Sequence, residues 1–218
     1  MTINRVKRRN LKVVKIKRST KYSDRIIITF ENKNILRVPE NVFVLDPIKI
    51  GDLISSHDIK KYDEKMRLQE ARDSAYRLLS YRMRSEGEMR KRLKDKSFLK
   101  DEIDTTVSYL KKQNYLNDLE FARTFSQEKV RLKMIGPSLL RAELFKYHIK
   151  TILIDEVIDE VYKHNDIYSL ITKHLEKKKA VKGKLLENKQ KKKLSDYLIR
   201  KGFTWGQINE VYADWNQI

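Results

Sequence analysis

The chain has no cysteine, only three prolines and only six glycines among its 218 residues. Without cysteine it can form neither disulfides nor thiolate metal sites, and we expect a protein of a reducing compartment, the cytoplasm. The scarcity of proline and glycine favours a helix-rich fold. No apolar run is long enough for a signal peptide or a membrane span, so we expect no membrane partner.

Sequence motifs that are typical of enzymes are also missing. The sequence contains no Walker-type loop, no G-x-G-x-x-G and no G-x-S-x-G elbow, and its four histidines lack the H-E-x-x-H spacing. Carboxylates cluster at 101–104 and 155–160, near the expected starts of two helices, where acids complement the helix dipole. We therefore predict a binding protein with no catalytic residues, no metal site and no cofactor.

Positive charge is the strongest compositional signal, because 49 Lys and Arg stand against 30 Asp and Glu. The net charge of +19 attracts polyanions such as nucleic acid, an acidic protein face or an anionic membrane, without choosing among them. Nine lysines fall between Glu176 and Lys193. We interpret this stretch as a solvated helical face, with a partner-binding basic segment as the alternative.

Residues 1–60 are predicted to form a small basic β extension. Three short β-branched runs fall at 13–16, 25–30 and 35–38. The polar stretch 31–34 between the last two predicts a hairpin, and Pro39 is expected to end its second strand. Residues 41–45 then open either a short helix or another extended piece.

From about Tyr62 onward the apolar spacing becomes helical and occurs three times. In each copy the steps are four, five, five and four residues, and the copies are offset by 51 and then 54. The copies are Met89, Leu93, Phe98, Ile103 and Val107; Leu140, Leu144, Ile149, Ile154 and Ile158; and Leu194, Leu198, Phe203, Ile208 and Tyr212. Four-residue steps stay on one helical face, whereas five-residue steps span a break between helices.

This frame predicts a mainly α protein with three tandem three-helix repeats in an elongated, curved array. The repeats are placed at 61–116, 117–165 and 166–218, and the third carries the Lys-rich insertion. Stacking the copies would extend a core that one unit is too small to form.

Residues suited to helix N-caps fall at the expected starts of the repeats' helices. Ser85 and Gly136-Pro137 are predicted to begin second helices, and Asp101, Thr151 and Thr204 to cap third helices. The aromatic residues at helical spacing are interpreted as core and inter-helix packing rather than as base-stacking platforms. They are Tyr76, Tyr81, Tyr109, Tyr115, Phe121 and Phe125.

The run from Ala75 to Ser85, followed by Glu88 and Leu93, resembles the first repeat of the RecX regulatory family, with its R-x-R-S-x-x-E pattern. Three further segments are similar to that family: Tyr115-Leu116-Asn117-Asp118 with Phe121-Ala122-Arg123, Met134-Ile135-Gly136-Pro137 with Arg141 and Leu144, and Arg200-Lys201-Gly202-Phe203. The resemblance covers about residues 62–218. Ser97, Asn114 and His148 depart from it, since glycine is common at these positions, and the departures put the loop conformations in question.

The resemblance implies a monomeric modulator that binds the RecA recombinase filament and inhibits its ATPase and DNA strand exchange in recombination and DNA repair. Basic residues that recur on the frame are the predicted partner-binding residues. They are Arg82 and Lys133, Arg72 and Arg123, Arg90 and Arg141, with Arg84 beside them. A solvated face or an ion pair within a repeat is the alternative for each arginine, and Asp118 is a possible ion-pair partner of Arg123.

A module that binds DNA without a recombinase partner is the alternative function. The second helix of each repeat is rich in Lys and Arg, which suits phosphate contacts. It is poor in Asn and Gln, which suits base readout less well. General DNA affinity is therefore a better expectation than sequence-specific recognition.

Overall fold

The computed structural model describes residues 10–20, 24–183 and 186–215. Two compact units make up the chain: Met1–Leu78 with Leu93–Ser108, and Leu79–Arg92 with Tyr109–Ile218. The mainly helical fold with a small antiparallel sheet at its N-terminal end confirms the predicted fold class. The predicted repeat boundaries stay predictions.

Four strands form the sheet in the order β3-β2-β1-β4. They are β1 (Asn10–Arg18), β2 (Arg25–Phe30), β3 (Ile35–Pro39) and β4 (Leu53–Ser55). The predicted hairpin is confirmed: β2 and β3 pair antiparallel, and the Phe30 N–H donates to the Asn34 carbonyl at 2.9 Å. Pro39 ends β3 as expected. The sequence did not reveal β4, because its three residues are too few to carry a pattern.

Helix α1 (Glu40–Leu45) settles the alternative at 41–45 in favour of a helix. Helix α2 (Ser56–Tyr81) begins earlier than its apolar spacing suggests. Ser55 and Asp58 cap it reciprocally, since the Asp58 N–H donates to Ser55 Oγ at 3.1 Å and the Ser55 N–H donates to Asp58 Oδ2 at 3.3 Å. Val13, Ile28 and Val38 are fully buried in the core of this unit.

Eight further helices follow α2 in the described part of the chain. They are α3 (Glu86–Asp95), α4 (Lys100–Lys112), α5 (Asp118–Lys133), α6 (Pro137–Phe145), α7 (Thr151–His164), α8 (Ile167–Lys177), α9 (Asn188–Arg200) and α10 (Trp205–Trp215). The triplicated apolar frame is confirmed as core. All of its residues are buried except Phe98, which is half-buried.

Three of the five predicted helix starts are confirmed. Ser85 Oγ accepts the Glu88 N–H at 3.0 Å, and Gly136 is the N-cap of α6 with Pro137 in the first turn. Thr204 Oγ1 accepts the Gln207 N–H at 3.3 Å, while Gln207 Oε1 accepts the Thr204 N–H.

The other two predicted caps are wrong. Helix α7 begins with Thr151 itself, after Lys150, which makes no side-chain capping bond. Asp101 lies within the first turn of α4 rather than before it. Instead, the Glu102 carboxylate accepts a hydrogen bond from the Leu99 N–H at 2.7 Å. Glu102, in the first turn of α4, therefore provides the partner for the backbone N–H that immediately precedes the helix.

In its described residues, the Lys-rich insertion of the third repeat is helical only at its ends. Between α8 and α9 the chain turns inward, because Ala180 and Leu186 are buried in the core. The Gly183 N–H donates to the carbonyl of Trp215 at 2.9 Å. The interpretation of the whole insertion as a solvated helical face is therefore wrong for its middle.

Left-handed backbone conformations occur at the breaks between helices. Ser97, Asn114 and His148 have φ of 64°, 59° and 57°, and Gly202 has φ of 92°. Glycine is the residue that adopts this region without a Cβ penalty. The chain thus keeps the glycine-type turn at the three positions where its sequence departs from glycine.

Candidate partner-binding surface

Within the second unit, the start of α3 rests on the break between α6 and α7. Ser85 Oγ donates to the carbonyl of Tyr147 at 2.6 Å. Gly87 approaches His148 so closely that a Cβ on this glycine would lie 2.4 Å from the His148 Cβ. Ser85 therefore both caps α3 and fixes its position.

The start of α6 makes the corresponding contact with the break between α9 and α10. The Gly136 N–H donates to the Lys201 carbonyl at 2.7 Å, and the Ser138 N–H donates to the Gly202 carbonyl at 3.1 Å. Gly136 follows Ser85 by 51 residues, and Gly202 follows His148 by 54, which are the offsets of the apolar frame. The same contact thus occurs twice, once at the start of α3 and once at the start of α6. In sequence, Arg82, Arg84 and Arg90 lie within five residues of the first contact, and Lys133 and Arg141 lie within five residues of the second.

Arg82 and Arg84 converge on the carboxylate of Glu88. Arg82 Nη2 lies 2.6 Å from Glu88 Oε1, and Arg84 Nη1 pairs with the same oxygen. Arg84 is nearly buried, with 10% of its side chain exposed, whereas Arg82 keeps 45% exposed. The R-x-R-S-x-x-E pattern is therefore an ion-pair cluster at the start of α3.

Arg90 belongs to a second cluster, centred on Glu86. Glu86 Oε1 lies 2.9 Å from Arg90 Nε, and Oε2 lies 2.7 Å from Lys111 Nζ. Burial raises the pKa of the Glu86 carboxyl, but the hydrogen bonds from Lys111 and Arg90 outweigh it and lower the pKa below its ordinary value. Arg90 thus helps to keep Glu86 charged.

Asp118 reaches the same cluster through the backbone. Its Oδ1 accepts the Glu86 N–H at 2.7 Å, and burial raises the pKa of the Asp118 carboxyl. The interpretation that Asp118 pairs with Arg123 is wrong. Arg123 turns instead to α7, where it lies 2.8 Å from Glu160 Oε2 and 3.4 Å from Glu156 Oε1.

The acids of α7 act as ion-pair partners. Arg141 pairs with Asp155 at 2.5 Å, and the side chains of both remain about half exposed. These carboxylates lie beyond the first turn of α7, so the helix-dipole explanation of the 155–160 cluster is wrong. The ion pair within a repeat, one of the alternatives for the arginines, accounts for Arg123 and Arg141.

Lys133 and Arg72 complete the predicted set. Lys133 is exposed at the last position of α5, and no ion pair to it occurs within the described ranges. Arg72 is half-buried on α2 in the first unit, where it lines a pocket with Val42 and Leu45. The other six predicted residues lie in the second unit.

Aromatic residues divide between the core and the surface. Phe121, Phe125 and Tyr147 form one cluster with ring centroids 5.0–5.8 Å apart. Tyr76 is 36% exposed, Tyr81 is 83% exposed and Tyr115 is 56% exposed, so the interpretation of these three as core residues is wrong.

In the third repeat a group of cations lies around Tyr197. The stretch that contains Lys178 was predicted as a partner-binding segment only as the alternative, and neither Lys201 nor Tyr197 was among the predicted site residues. Lys178 Nζ lies 4.7 Å from the ring centroid of Tyr197, and Lys201 Nζ lies 5.7 Å from it. Tyr197 follows Glu143 by 54 residues. The frame could therefore have revealed that the third repeat has an aromatic ring where the second has a carboxylate.

No helix within 10–20, 24–183 and 186–215 is long and apolar enough to cross a membrane. Over the same ranges, no three His, Asp or Glu side chains are grouped so that they could hold a metal ion.

Two family models match segments near the start and the end of the helical region, and full-length relatives match most of the chain. A family model described as the first three-helix domain of RecX matches residues 71–110, and one described as the third three-helix domain matches 165–212. The regulatory protein RecX of Thermotoga maritima is 34% identical over 137 residues, which are 63% of this chain and 79% of that protein. RecX of Caldanaerobacter subterraneus is 28% identical over 200 residues, covering 92% of this chain and 96% of the relative.

Two solved structures share the fold. A crystal structure of a regulatory protein RecX matches with a TM-score of 0.69 at 19% identity, covering 93% of this chain and 99% of the other. RecX from Lactobacillus salivarius matches with a TM-score of 0.59 at 18% identity, covering 70% and 98%.

Proposed function

The chain belongs to the RecX family of regulatory proteins, and we propose that it binds the RecA recombinase filament and inhibits its ATP hydrolysis and DNA strand exchange. Family membership is the observation that carries this proposal. The proposed regulator is a cytoplasmic monomer that acts in recombination and DNA repair. It works by binding, with no cofactor and no chemistry of its own.

The proposed filament contacts are the seven basic residues that recur on the frame, and their geometry ranks them. Lys133 is the leading contact, because it has no ion pair within the described ranges, and Arg141 comes next, because its side chain, 47% exposed, is the most exposed of the paired arginines in the set. Arg82, Arg90 and Arg123 each present a partly exposed guanidinium that is already paired. Arg84 and Arg72 are the least accessible.

Inhibition of RecA at low ratios tests the proposal. ATP hydrolysis by RecA on long single-stranded DNA is measured while the protein is added well below the concentration of DNA binding sites. We expect inhibition at this ratio, because one bound regulator affects neighbouring RecA protomers. Inhibition that requires saturation of the DNA, and that disappears when more DNA is added, would support DNA binding without a recombinase partner.

A double variant tests the leading contacts. Lys133→Gln with Arg141→Gln should weaken the inhibition about tenfold, since truncation of charges at an interface costs on the order of 1.4 kcal/mol or more. The matched control is Lys112→Gln with Lys163→Gln, which removes the same charge from exposed lysines outside the predicted set. Equal losses in the two variants would contradict a specific role for Lys133 and Arg141. Circular dichroism checks that helicity is unchanged.

A further inference from the structure

A basic pocket lies between the end of α8 and the outer face of α9, in the third repeat. It is lined by Lys178, Gln190, Lys193, Leu194, Tyr197 and Arg200. The three cationic side chains belong to exposed residues, whereas Leu194 is buried beneath them. No carboxylate lines the pocket.

The floor of the pocket is held in place from below. Tyr197 contributes its half-buried ring, and its hydroxyl donates to Nδ1 of His174 at 3.1 Å. His174 is only 2% exposed, and its Nε2 lies 2.8 Å from the carbonyl oxygen of Met134, to which it donates. The ring is therefore anchored to α5 through a buried histidine, and the cations above it meet at a fixed place.

Within the described residues, no ion pair neutralises the cations of the pocket. In the second repeat, Glu143 binds both Lys129 and Lys146. Tyr197 occupies the equivalent position of the third repeat, and no ion pair occurs among the described residues of 166–183 and 186–215. Cations gathered without a counter-charge attract an external anion.

The neighbouring sequence indicates the class of anion. Lys189, Lys191, Lys192 and Lys193 fall within five consecutive residues at the start of α9. A series of cations beside a pocket suits a polymer that carries a charge at every unit, as the sugar-phosphate backbone does. Arg200 adds a planar fork of donors that matches a phosphate, and Gln190 adds an uncharged donor.

We propose that this pocket binds a phosphate group of a nucleic-acid backbone, with Lys178, Lys193 and Arg200 as its contacts. The lysines at the start of α9 bind the adjacent phosphates. The site concerns nucleic acid directly, so it does not depend on the proposed action on RecA.

Fluorescence anisotropy with the full-length chain and a labelled single-stranded oligo(dT) of about twenty nucleotides tests the site in the absence of RecA. The pocket variant is Lys178→Gln with Lys193→Gln and Arg200→Gln. The matched control is Lys163→Gln with Lys173→Gln and Lys182→Gln, which removes three exposed lysines that neither line the pocket nor belong to the start of α9. We expect the pocket variant to bind about tenfold more weakly and with a smaller salt dependence, and the control to lose about threefold or less.

Two outcomes would overturn the site. Equal weakening in both triple variants would mean that the basic repeat attracts DNA only through its net charge. A pocket variant that binds oligo(dT) like the parent chain but no longer inhibits RecA would assign the pocket to an acidic protein face instead.

A second variant, Tyr197→Glu, places in the pocket the carboxylate that the second repeat has, and should also weaken binding to oligo(dT) about tenfold. Thermal unfolding of each variant confirms that it is folded.

Discussion

The second and third repeats share one apolar frame but differ in how they arrange charge. Residues 117–165 contain eight Lys or Arg and eight Asp or Glu, whereas 166–215 contain twelve and six. In the second repeat, Arg123, Lys129 and Arg141 all pair with acids of the same repeat. In the described part of the third, lysines contact aromatic rings instead.

The third repeat has Tyr197 at the position where the second repeat has Glu143, and this explains much of the difference in charge pairing. A carboxylate neutralises the lysines near it, while an aromatic face attracts cations without neutralising them. A repeat can thus keep the same core while its surface changes. In one repeat the cations pair with carboxylates of that repeat, and in the other they remain available to bind an external anion. A repeat architecture permits this because the buried and exposed positions are separate.

The largest expected effect concerns the glycine by which the third repeat contacts the second. Gly202→Ala should destabilise the protein by about 3 kcal/mol or more, because an added Cβ would lie 2.4 Å from the Leu139 backbone nitrogen and φ is 92°. The second repeat has His148 at this position with φ of 57°, and there the close partner is Gly87. Urea unfolding measures the change.

Gly206→Ala is the matched control, since an added Cβ at this position in α10 would have no atom within 4 Å apart from its chain neighbours and the backbone of its own helix. It should change the free energy of unfolding by less than about 1 kcal/mol, in the stabilising direction. If the two alanine variants were equally stable, the close contact between α6 and the α9–α10 break would be contradicted.

A smaller effect is expected when the paired charges of the second repeat are disrupted. Glu143→Gln should cost about 1–2 kcal/mol, because Lys129 and Lys146 lose a partly buried partner. Those lysines hold the pKa of the Glu143 carboxyl below its ordinary value; the Lys146 hydrogen bond is the main cause. Asp196→Asn in the third repeat should cost less than about 0.5 kcal/mol, since Asp196 is exposed and makes no ion pair to a described residue. Similar costs in both variants would remove the distinction between the repeats.

The smallest effect is a pH dependence carried by the third repeat. Burial lowers the pKa of His174, so between that pKa and about 6.5 the unfolded chain binds more protons than the folded one. The contribution of this residue is complete above about pH 6.5 and is lost as the pH falls below it. From pH 7.5 to 5.5 the parent chain should lose up to about 1 kcal/mol more than His174→Gln, whose amide keeps a donor for the Met134 carbonyl.

Urea unfolding at several pH values compares the two proteins. The difference between their free energies of unfolding matters, because carboxylates elsewhere contribute equally to both. Parallel curves would mean that His174 titrates alike in the folded and unfolded chains, and would contradict its neutral, buried state.

Local and periodic features of the fold were predictable. The hairpin of β2 and β3, the Pro39 strand end and the Ser85 cap depend on neighbours a few residues away, and so does the identity of the buried positions. Strand β4 and the inward turn at Ala180 and Leu186 were not, since a three-residue strand and a loop that packs through two side chains leave no periodic signal.

The candidate site was predictable only as a set of residue types. The frame located the recurring arginines, but it could not show that Arg82 and Arg84 share Glu88, or that Arg123 pairs with α7. Glu88 is close in sequence to Arg82 and Arg84, but the apolar frame does not say which acid a cation selects. Glu160 lies 37 residues from Arg123, and that pairing depends on how the helices meet. The pocket around Tyr197 was not predicted either, because it forms only where Lys178 at the end of α8 packs near the face of α9.

A basic helical repeat with a small β extension follows from apolar periodicity and composition alone, because these decide which residues leave water. The tertiary structure decided which of the many cations are neutralised within the fold and which remain available to a partner. Charge pairing is a matter of a few ångströms, and pairs such as Arg123 with Glu160 and Lys111 with Glu86 join residues that are distant in sequence. Only the packed helices, brought close by Gly87, Gly136 and Gly202, set those distances.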